Sequence, residues 1–368
     1  MTDAATTLVD HDGSDLLALT EALCRVPSVF PDERVLADAV EARVRARASG
    51  RRGRVRVDRV ANNVVARTDL GLERRIVLGG HLDTVPANGN AEPRRERDTL
   101  HGLGTADMKG GLAAMLRLAD QLGAGARPRF DVTLVWYEAE EVADEHNGLR
   151  HLFRDAAELV AGDFAILLEP TGGWVEAGCQ GSLHMQAIFR GARAHTARPW
   201  MGVNAVHKAA PVLERIAAHV SDNPVVDGLE FREALQVVRV EAGVANNVVP
   251  DECTVVVNRR VAPNLTLHEA ETQVRAFLDG ADEVAVVNGS PPAAPNLSNP
   301  LVAEFVGTLD LAVRPKLGWT DVARFANHGI PAINFGPGDP TLAHTAQERV
   351  ERADVEGCHR VLAHFLGV

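Results

Sequence analysis

The sequence is poor in lysine and in long apolar runs, and each shortage excludes a class of protein. Of its 38 basic residues, only Lys109, Lys208 and Lys316 are lysines, and acidic residues number 50. The resulting net charge of −12 has the wrong sign for a nucleic-acid-binding protein and disfavours anionic lipid surfaces. No apolar run approaches the roughly 20 residues that span a bilayer, so we expect neither a nucleic-acid nor a membrane partner.

Cysteine is also scarce, with Cys24, Cys179, Cys253 and Cys358 far apart in the chain. No C-x-x-C pair is present, which argues against a thiolate zinc site or a dithiol redox motif. Reduced thiols are typical of a cytosolic protein, so we expect a cytoplasmic location. Residues 1–13 are acidic and polar, without the positive and then apolar pattern of a signal peptide.

Apolar periodicity predicts an α/β sheet in the first half of the chain. Residues 14–48 read as two helices separated by a proline turn. Short apolar runs predict buried strands at 63–67, 76–80, 132–137 and 164–168, with a helix at about 111–122. Such alternation of strands and helices is typical of a sheet covered on both faces. The charged stretch 92–98 is predicted to be a solvated loop.

The pattern changes after residue 178 to the order strand, helix, two strands, helix, strand. This is the order of a ferredoxin-like α+β unit, and a proline-rich linker at 291–300 follows it. The last part of the chain returns to the first pattern, with a strand at 332–335 and a final helix at 352–366. We therefore predict a discontinuous α/β domain, residues 1–179 and 292–368, interrupted by a second domain at 180–291.

Five short polar clusters carry the candidate chemistry, and four of them follow or lead on from a predicted strand. They are GGHLDTVP at 79–86, GLGTADMKGG at 102–111, EAEE at 138–141, EPT at 169–171 and AHT at 343–345. Open α/β sheets bind ligands at the carboxyl ends of their strands. The clusters are therefore expected to meet at one edge of the sheet.

Each cluster alone also has a purely structural interpretation. His81 and Asp83 could form a hydrogen bond at a strand end, and Asp107 could cap the next helix. Residues 138–141 could form a solvated acidic turn. The glycine-rich segment 102–111 matches neither of the phosphate-binding glycine patterns. Only the combination of the clusters favours a functional site.

Together, the clusters contain the ligands that two divalent metal ions need. One ion would be bound by His81, Glu169 and Asp107, and the other by Glu141, His344 and the same Asp107 as a bridge. Three protein ligands per ion leave room for a shared water, as in a catalytic site. Nitrogen and oxygen ligands without thiolate suit Zn²⁺, with Co²⁺ or Mn²⁺ as alternatives.

Two further carboxylates complete the predicted site. Asp83 would accept the second ring N–H of His81 and so orient that ligand. Glu140 would be the general base, taking a proton from the shared water and passing it to a leaving amine.

These motifs, in this order, resemble the M20 family of dinuclear zinc amidohydrolases. The resemblance implies a zinc-exopeptidase-like domain with a mixed sheet flanked by helices, and an inserted ferredoxin-like lid that also forms a homodimer. It implies the same five ligands, the same base Glu140, and a cis peptide bond after Asp107.

Segments 169–171, 176–181 and 193–200 are similar to the actinobacterial-type succinyl-diaminopimelate desuccinylases of that family. This similarity implies hydrolysis of N-succinyl-LL-2,6-diaminopimelate to succinate and LL-2,6-diaminopimelate. His195 would bind the oxyanion, in the family often from the partner subunit. Substrate-binding positions would be Ser182, Asn247, Arg260 and Gly336. Which of Arg259 and Arg260 faces the substrate stays open.

Two other functions remain possible at this stage. Another M20 activity, such as that of an acetylornithine deacetylase, differs in pocket shape, which the sequence reveals poorly. A non-catalytic metal-binding scaffold would be expected to lack a ligand or the base, and all six positions are present.

Overall fold

The computed structural model describes residues 3–48 and 55–368, and the chain divides into two compact units. Unit 1 comprises Met1–Ala177, Asn296–Arg314 and Arg324–Val368; unit 2 comprises Gly178–Pro295 and Pro315–Ala323. The predicted division assigned residues 315–323 to the discontinuous α/β domain. The structure groups them with unit 2, where the backbone N–H of Gln180 donates to Lys316 O at 3.2 Å.

The α-helices and strands of the described residues are numbered in chain order. The helices are α1 (Asp3–Asp10), α2 (Leu16–Cys24), α3 (Arg34–Ala48), α4 (Gly110–Gly123), α5 (Gly148–Asp155), α6 (Ala157–Val160), α7 (Ala205–Ala217), α8 (Leu267–Phe277), α9 (Pro300–Gly307), α10 (Val322–Asn327) and α11 (Arg352–Leu366). The strands are β1 (Val55–Val60), β2 (Asn63–Thr68), β3 (Arg75–His81), β4 (Arg94–Glu96), β5 (Thr99–His101), β6 (Asp131–Tyr137), β7 (Phe164–Leu167), β8 (Val175–Ala177), β9 (Gly181–Arg190), β10 (Val225–Val226), β11 (Leu229–Glu230), β12 (Ala234–Ala242), β13 (Glu252–Val261), β14 (Glu283–Ser290), β15 (Val313–Pro315), β16 (Ala332–Asn334) and β17 (Arg349–Glu351).

Unit 1 is built on a mixed eight-stranded sheet in the order β1-β2-β6-β3-β7-β16-β8-β15. Its centre is parallel, with β3 between β6 and β7, whereas β1, β2 and β8 run antiparallel to their neighbours. Every residue of β6 and β7 is buried, as expected of strands covered on both faces. The predicted mixed sheet flanked by helices is confirmed.

The expectation of a simple loop at residues 92–98 is wrong. Arg94–Glu96 is strand β4, which pairs antiparallel with β5, and β5 also pairs with β17. The three side chains of β4 are exposed as predicted. Because a short exposed hairpin strand buries no apolar face, its sequence carries no alternation of apolar and polar residues.

Unit 2 has an antiparallel four-stranded sheet in the order β12-β13-β9-β14, with α7 and α8 following β9 and β13 in the chain. Along β9, buried and partly buried residues alternate, because one face of the sheet packs into the apolar core of this unit. The element order confirms the predicted ferredoxin-like arrangement. The short strands β10 and β11, each two residues long, form a hairpin that the sequence did not predict.

A fully buried ion pair joins the helices of unit 1. The guanidinium of Arg43 on α3 donates to Asp120 Oδ2 on α4 at 2.7 Å and to the carbonyl oxygens of Leu8 and His11. The charge of Asp120 is thereby matched inside the protein, and the N-terminal helix is attached to the core. Within the described residues, no helix is both long and apolar enough to cross a membrane.

Candidate metal centre

Three adjacent parallel strands of unit 1 end at the same edge of the sheet. His81 is the last residue of β3 and lies opposite Tyr137, the last residue of β6, so residues 138–141 begin beside it. On the other side, Gly79 pairs with Leu167 of β7. Because of this register, the segment that follows β7 and contains Glu169 begins beside the end of β3. This agrees with the prediction that the polar clusters meet at the carboxyl ends of the strands.

Four of the five predicted ligands converge at this edge. His81 Nε2 lies 3.1 Å from Asp107 Oδ1, and His344 Nε2 lies 3.3 Å from Asp107 Oδ2. His344 Nε2 also lies 2.8 Å from Glu141 Oε1. We call His81, Asp107, Glu141 and His344 the strand-end cluster. The two oxygens of Asp107 thus face two different imidazoles, which is the arrangement expected of a bridging carboxylate.

Glu169, the fifth predicted ligand, lies two residues beyond the end of β7 and is buried. The backbone around it is closely packed against the loop that contains Gly336. A side chain at position 336 would come within 2.4 Å of the carbonyl oxygens of Leu168 and Glu169. Gly336 therefore has a packing role beside the site, whatever it contributes to substrate binding.

The Asp83 carboxylate makes its shortest contacts with the turn after β6, not with the His81 ring. Its Oδ1 and Oδ2 accept the backbone N–H groups of Glu140 at 3.0 Å and Glu141 at 2.9 Å. His81 Nδ1 is 3.0 Å from the carbonyl oxygen of Asp83, closer than the 3.5 Å to its carboxylate. Asp83 therefore faces the His81 ring with both its main chain and its carboxylate, and its role in orienting that ligand stays a prediction.

The turn after β6 separates carboxylates that are adjacent in sequence. Ala139 has a left-handed φ of 58°, which is uncommon for a residue other than glycine. On one side of it, Glu138 Oε1 accepts the backbone N–H of Asn62 at 3.2 Å. On the other side, the backbone N–H groups of Glu140 and Glu141 donate to the carboxylate of Asp83. Glu138 is therefore outside the strand-end cluster, and Glu140 is positioned at its border.

The charges of the strand-end cluster are balanced by protons on its histidines. Burial disfavours a charged His81, but its contacts with Asp107 and Asp83 outweigh burial and hold its pKa well above the usual value. Hydrogen bonds with Asp107 and Glu141 raise the pKa of His344 to about 10. Despite burial, the same histidines keep the pKa of Asp107 low.

This donor set fits divalent metal ions. Imidazole nitrogens and carboxylate oxygens meet within bonding range of a common point: ligand atoms of His81, Asp107 and Glu141 lie within 4.8 Å of one another. Among the residues that the structure describes, the cationic partners of Asp107 and Glu141 are imidazoles, with no guanidinium or ammonium group. Metal ions would replace the ring protons and neutralise the carboxylates.

Sequence reasoning missed Glu348, which is buried beside the cluster. Its Oε1 accepts the backbone N–H groups of Ala106 at 3.1 Å and Asp107 at 3.0 Å. Burial raises the pKa of Glu348 to about 7, although these hydrogen bonds oppose the rise. Glu348 follows no apolar strand run, and its position four residues after His344 is the one sequence clue to it.

In unit 2, the structure brings His195 and Asn247 together. Thr196 N–H donates to Asn247 O at 3.0 Å, and His195 pairs with Val248 across a β-bridge. The Nδ1 atom of His195 is 3.0 Å from the N–H of Ala197, which donates to it. A neutral His195 ring therefore carries its proton on Nε2, on an exposed side chain.

The structure also separates the two candidate arginines on β13. Arg259 is buried and donates to Glu233 Oε2 at 2.9 Å. Arg260 points to the opposite face of the sheet and pairs in register with Ser182 on β9. Arg259 thus has an internal carboxylate partner, whereas Arg260 lies on the other face of the sheet with Ser182.

The sequence matches the description "Peptidase family M20/M25/M40" over residues 77–367. The chain belongs to this family. A relative named succinyl-diaminopimelate desuccinylase from Corynebacterium glutamicum is 42% identical over 96% of this chain and 96% of its own length. A Mycobacterium tuberculosis relative is 45% identical, covering 96% of this chain and 98% of its own.

Solved structures share the fold at low sequence identity. Aminopeptidase PepT from Bacillus cereus superposes with a TM-score of 0.76 at 20% identity, covering 96% of this chain and 98% of its own. A dinuclear metal-binding M20 peptidase from Bacillus subtilis gives 0.68 at 13% identity over 96% of this chain and 97% of its own. The predicted family and fold are confirmed. The expected cis peptide bond between Asp107 and Met108 is also present.

Proposed function

We propose that this M20 chain is a metal-dependent amidohydrolase that converts N-succinyl-LL-2,6-diaminopimelate to succinate and LL-2,6-diaminopimelate. The observation that carries the proposal is the strand-end cluster, in which the two oxygens of Asp107 face the imidazoles of His81 and His344. The desuccinylase name of the Corynebacterium glutamicum relative, 42% identical over nearly the full chain, supports the choice of substrate.

The strand-end cluster and Glu169 would hold two divalent ions, for which we propose zinc, with cobalt as the alternative. His81 and Glu169 would bind one ion, His344 and Glu141 the other, and Asp107 would bridge them. When bound, such ions polarise the scissile carbonyl and lower the pKa of the attacking water.

Glu140 is the proposed general base. The bond from its backbone N–H to Asp83 Oδ1 fixes the turn that carries its carboxylate. Glu140 removes a proton from the attacking water as the carbon–oxygen bond forms. It then gives that proton to the nitrogen of the breaking carbon–nitrogen bond, so that the amine leaves neutral.

His195 is proposed to stabilise the oxyanion. Because the N–H of Ala197 donates to Nδ1, the neutral ring presents Nε2–H as a donor. A donor held in a defined orientation is what a developing oxyanion needs. Its exposure fits a residue that meets its substrate only after assembly, and we propose that it is supplied by the partner subunit of a homodimer formed through unit 2.

The three carboxylates of the substrate require cationic and hydrogen-bonding partners. We propose that Arg260 binds one carboxylate, assisted by the neighbouring Ser182, and that Asn247 and Gly336 are further substrate-binding positions. The pairing of Arg259 with Glu233 supports Arg260 as the substrate-binding arginine.

The buried, free cysteines and the acidic net charge support a cytoplasmic location.

A parallel assay tests the substrate. Zinc-loaded protein is incubated with N-succinyl-LL-2,6-diaminopimelate and with N-acetylornithine, and release of the free amine is followed. We expect kcat/KM to favour the succinylated compound by at least about 10²-fold, because an arginine placed to pair with a substrate carboxylate discriminates against a substrate that lacks it. Preference for N-acetylornithine would indicate the other M20 activity, and hydrolysis of neither would favour a scaffold.

Mixing two inactive variants tests the role of the partner subunit. His195→Ala protein is combined with Glu140→Gln protein under conditions that exchange subunits. If His195 acts across the interface, one active site of each heterodimer is intact and activity reappears. Demonstrated heterodimers without any recovery would contradict this assignment.

A further inference from the structure

The glycine-rich segment 102–111 has the composition of a phosphate cradle, yet its backbone donors face an anion of the protein itself. Glu348 Oε1 accepts the N–H groups of Ala106 and Asp107 at 3.1 and 3.0 Å. The main-chain oxygen of Glu348 accepts the N–H of Gly102 at 3.0 Å. Glu348 thus binds the loop through both its side chain and its main chain, so backbone donors of this segment already face an anion of the protein.

The same short loop connects Glu348 to the strand-end cluster. His344 precedes Glu348 by four residues, and the N–H of Glu348 donates to Thr345 O at 3.2 Å. His344 contacts one oxygen of Asp107, while Glu348 holds the backbone of Asp107. Both the side chain and the main chain of Asp107 are therefore oriented from the 344–348 loop.

We infer that Glu348 is a positioning residue that holds the backbone of Asp107 so that its two carboxylate oxygens face both metal positions. Its side chain is long enough for one carboxylate oxygen to accept both N–H groups, and it is not proposed to contact the reacting atoms. Only 1% of Glu348 is exposed, so water cannot replace it as the acceptor. This inference rests on the proposed metal centre.

Two substitutions separate the reach of Glu348 from its charge. Glu348→Asp keeps the carboxylate but is one methylene shorter, so it no longer reaches both N–H groups. Glu348→Gln keeps the length and one oxygen acceptor but removes the charge. Gln347→Ala, at an exposed side chain in the same loop, is the matched control.

The readout is metal binding, measured without substrate by titrating Zn²⁺ into chelator-treated protein. We expect wild type, Gln347→Ala and Glu348→Gln to bind two ions per chain with similar affinity. In Glu348→Asp, the affinity for the more weakly bound ion should fall about 10- to 100-fold, as is typical when a group that orients a ligand is lost. Circular dichroism confirms that the aspartate variant is folded.

Two results would overturn the inference while leaving the metal centre intact. One is two ions bound with wild-type affinity in Glu348→Asp. The other is Glu348→Gln as defective as the aspartate variant, which would make charge the important property. If the wild-type protein itself binds fewer than two ions, the metal centre and the inference both fail. A desuccinylase assay that fails while two ions bind overturns only the proposed substrate.

Discussion

Two aspartates of unit 1, the buried Asp120 and the partly buried Asp107, differ in how their charge is balanced. Asp120 is paired with Arg43, whose guanidinium also donates to two main-chain oxygens. Asp107 is paired with His81 and His344, whose charge depends on a proton. The first arrangement relies on a guanidinium, which stays charged at ordinary pH. The second can exchange its protons for other cations.

This difference distinguishes a structural from a functional acid in the same unit. A guanidinium cannot be displaced or deprotonated under ordinary conditions, so Asp120 contributes to the fold alone. Neutral imidazole is a metal ligand, so the surroundings of Asp107 suit a metal ion once the rings lose their protons. An acidic side chain in the interior therefore does not by itself indicate a functional site. The chemical nature of the group that balances its charge distinguishes the two roles.

The largest effect is expected for the acid that is proposed to move a proton. Glu140→Gln should retain both metal ions, because Glu140 is not a ligand, and should lose about 10²- to 10⁴-fold in kcat. Turnover of the succinylated substrate and metal content are measured on the same preparation. Wild-type turnover in this variant would remove Glu140 from the mechanism.

Replacing the two contrasted aspartates should have opposite consequences. Asp120→Ala leaves the Arg43 charge buried and unpaired, so it should lower the free energy of unfolding by about 3–5 kcal/mol. Its metal content should stay at two ions per chain. Asp107→Ala should lose metal binding, and its metal-free form should be less destabilised than Asp120→Ala.

Denaturant unfolding of both metal-free variants and metal analysis of both proteins check this pair. If Asp120→Ala lost metal and kept its stability, the distinction between the structural and the functional aspartate would be contradicted.

The last prediction concerns the pH dependence of metal affinity. In the metal-free protein, the pKa of His344 is raised to about 10 and that of His81 is also raised, so both rings carry protons at pH 7. Metal binding must release them, and each released proton makes the affinity rise about tenfold per pH unit below the pKa of that ring. The favourable charge pairing of these protonated rings is present below pH 6.5 and is lost as the pH rises through about 10. Zinc titrations between pH 6 and 8 should show affinity rising with pH; a flat profile would contradict this charge state.

Part of the fold and the site could be predicted because local patterns determine them. Apolar runs predicted β3, β6 and β7. The polar motifs at their ends predicted His81 and Glu141, and the motifs at 102–111 and 343–345 added Asp107 and His344. Glu348 was missed because its role depends on two backbone donors that are 241 and 242 residues away in the chain. The partners of Asp83 are backbone N–H groups on another strand's turn, which side-chain spacing does not reveal. The placement of residues 315–323 with unit 2 likewise depends on long-range hydrogen bonds.

The central claim is that Asp107 bridges two divalent ions, and anomalous diffraction from crystals of the zinc-loaded protein at the zinc edge tests it most directly. We predict two anomalous peaks about 3.5–4 Å apart. One should lie next to His81 and Glu169, the other next to His344 and Glu141, with the Asp107 carboxylate between them. A single peak, or two peaks that do not share Asp107, would contradict the account.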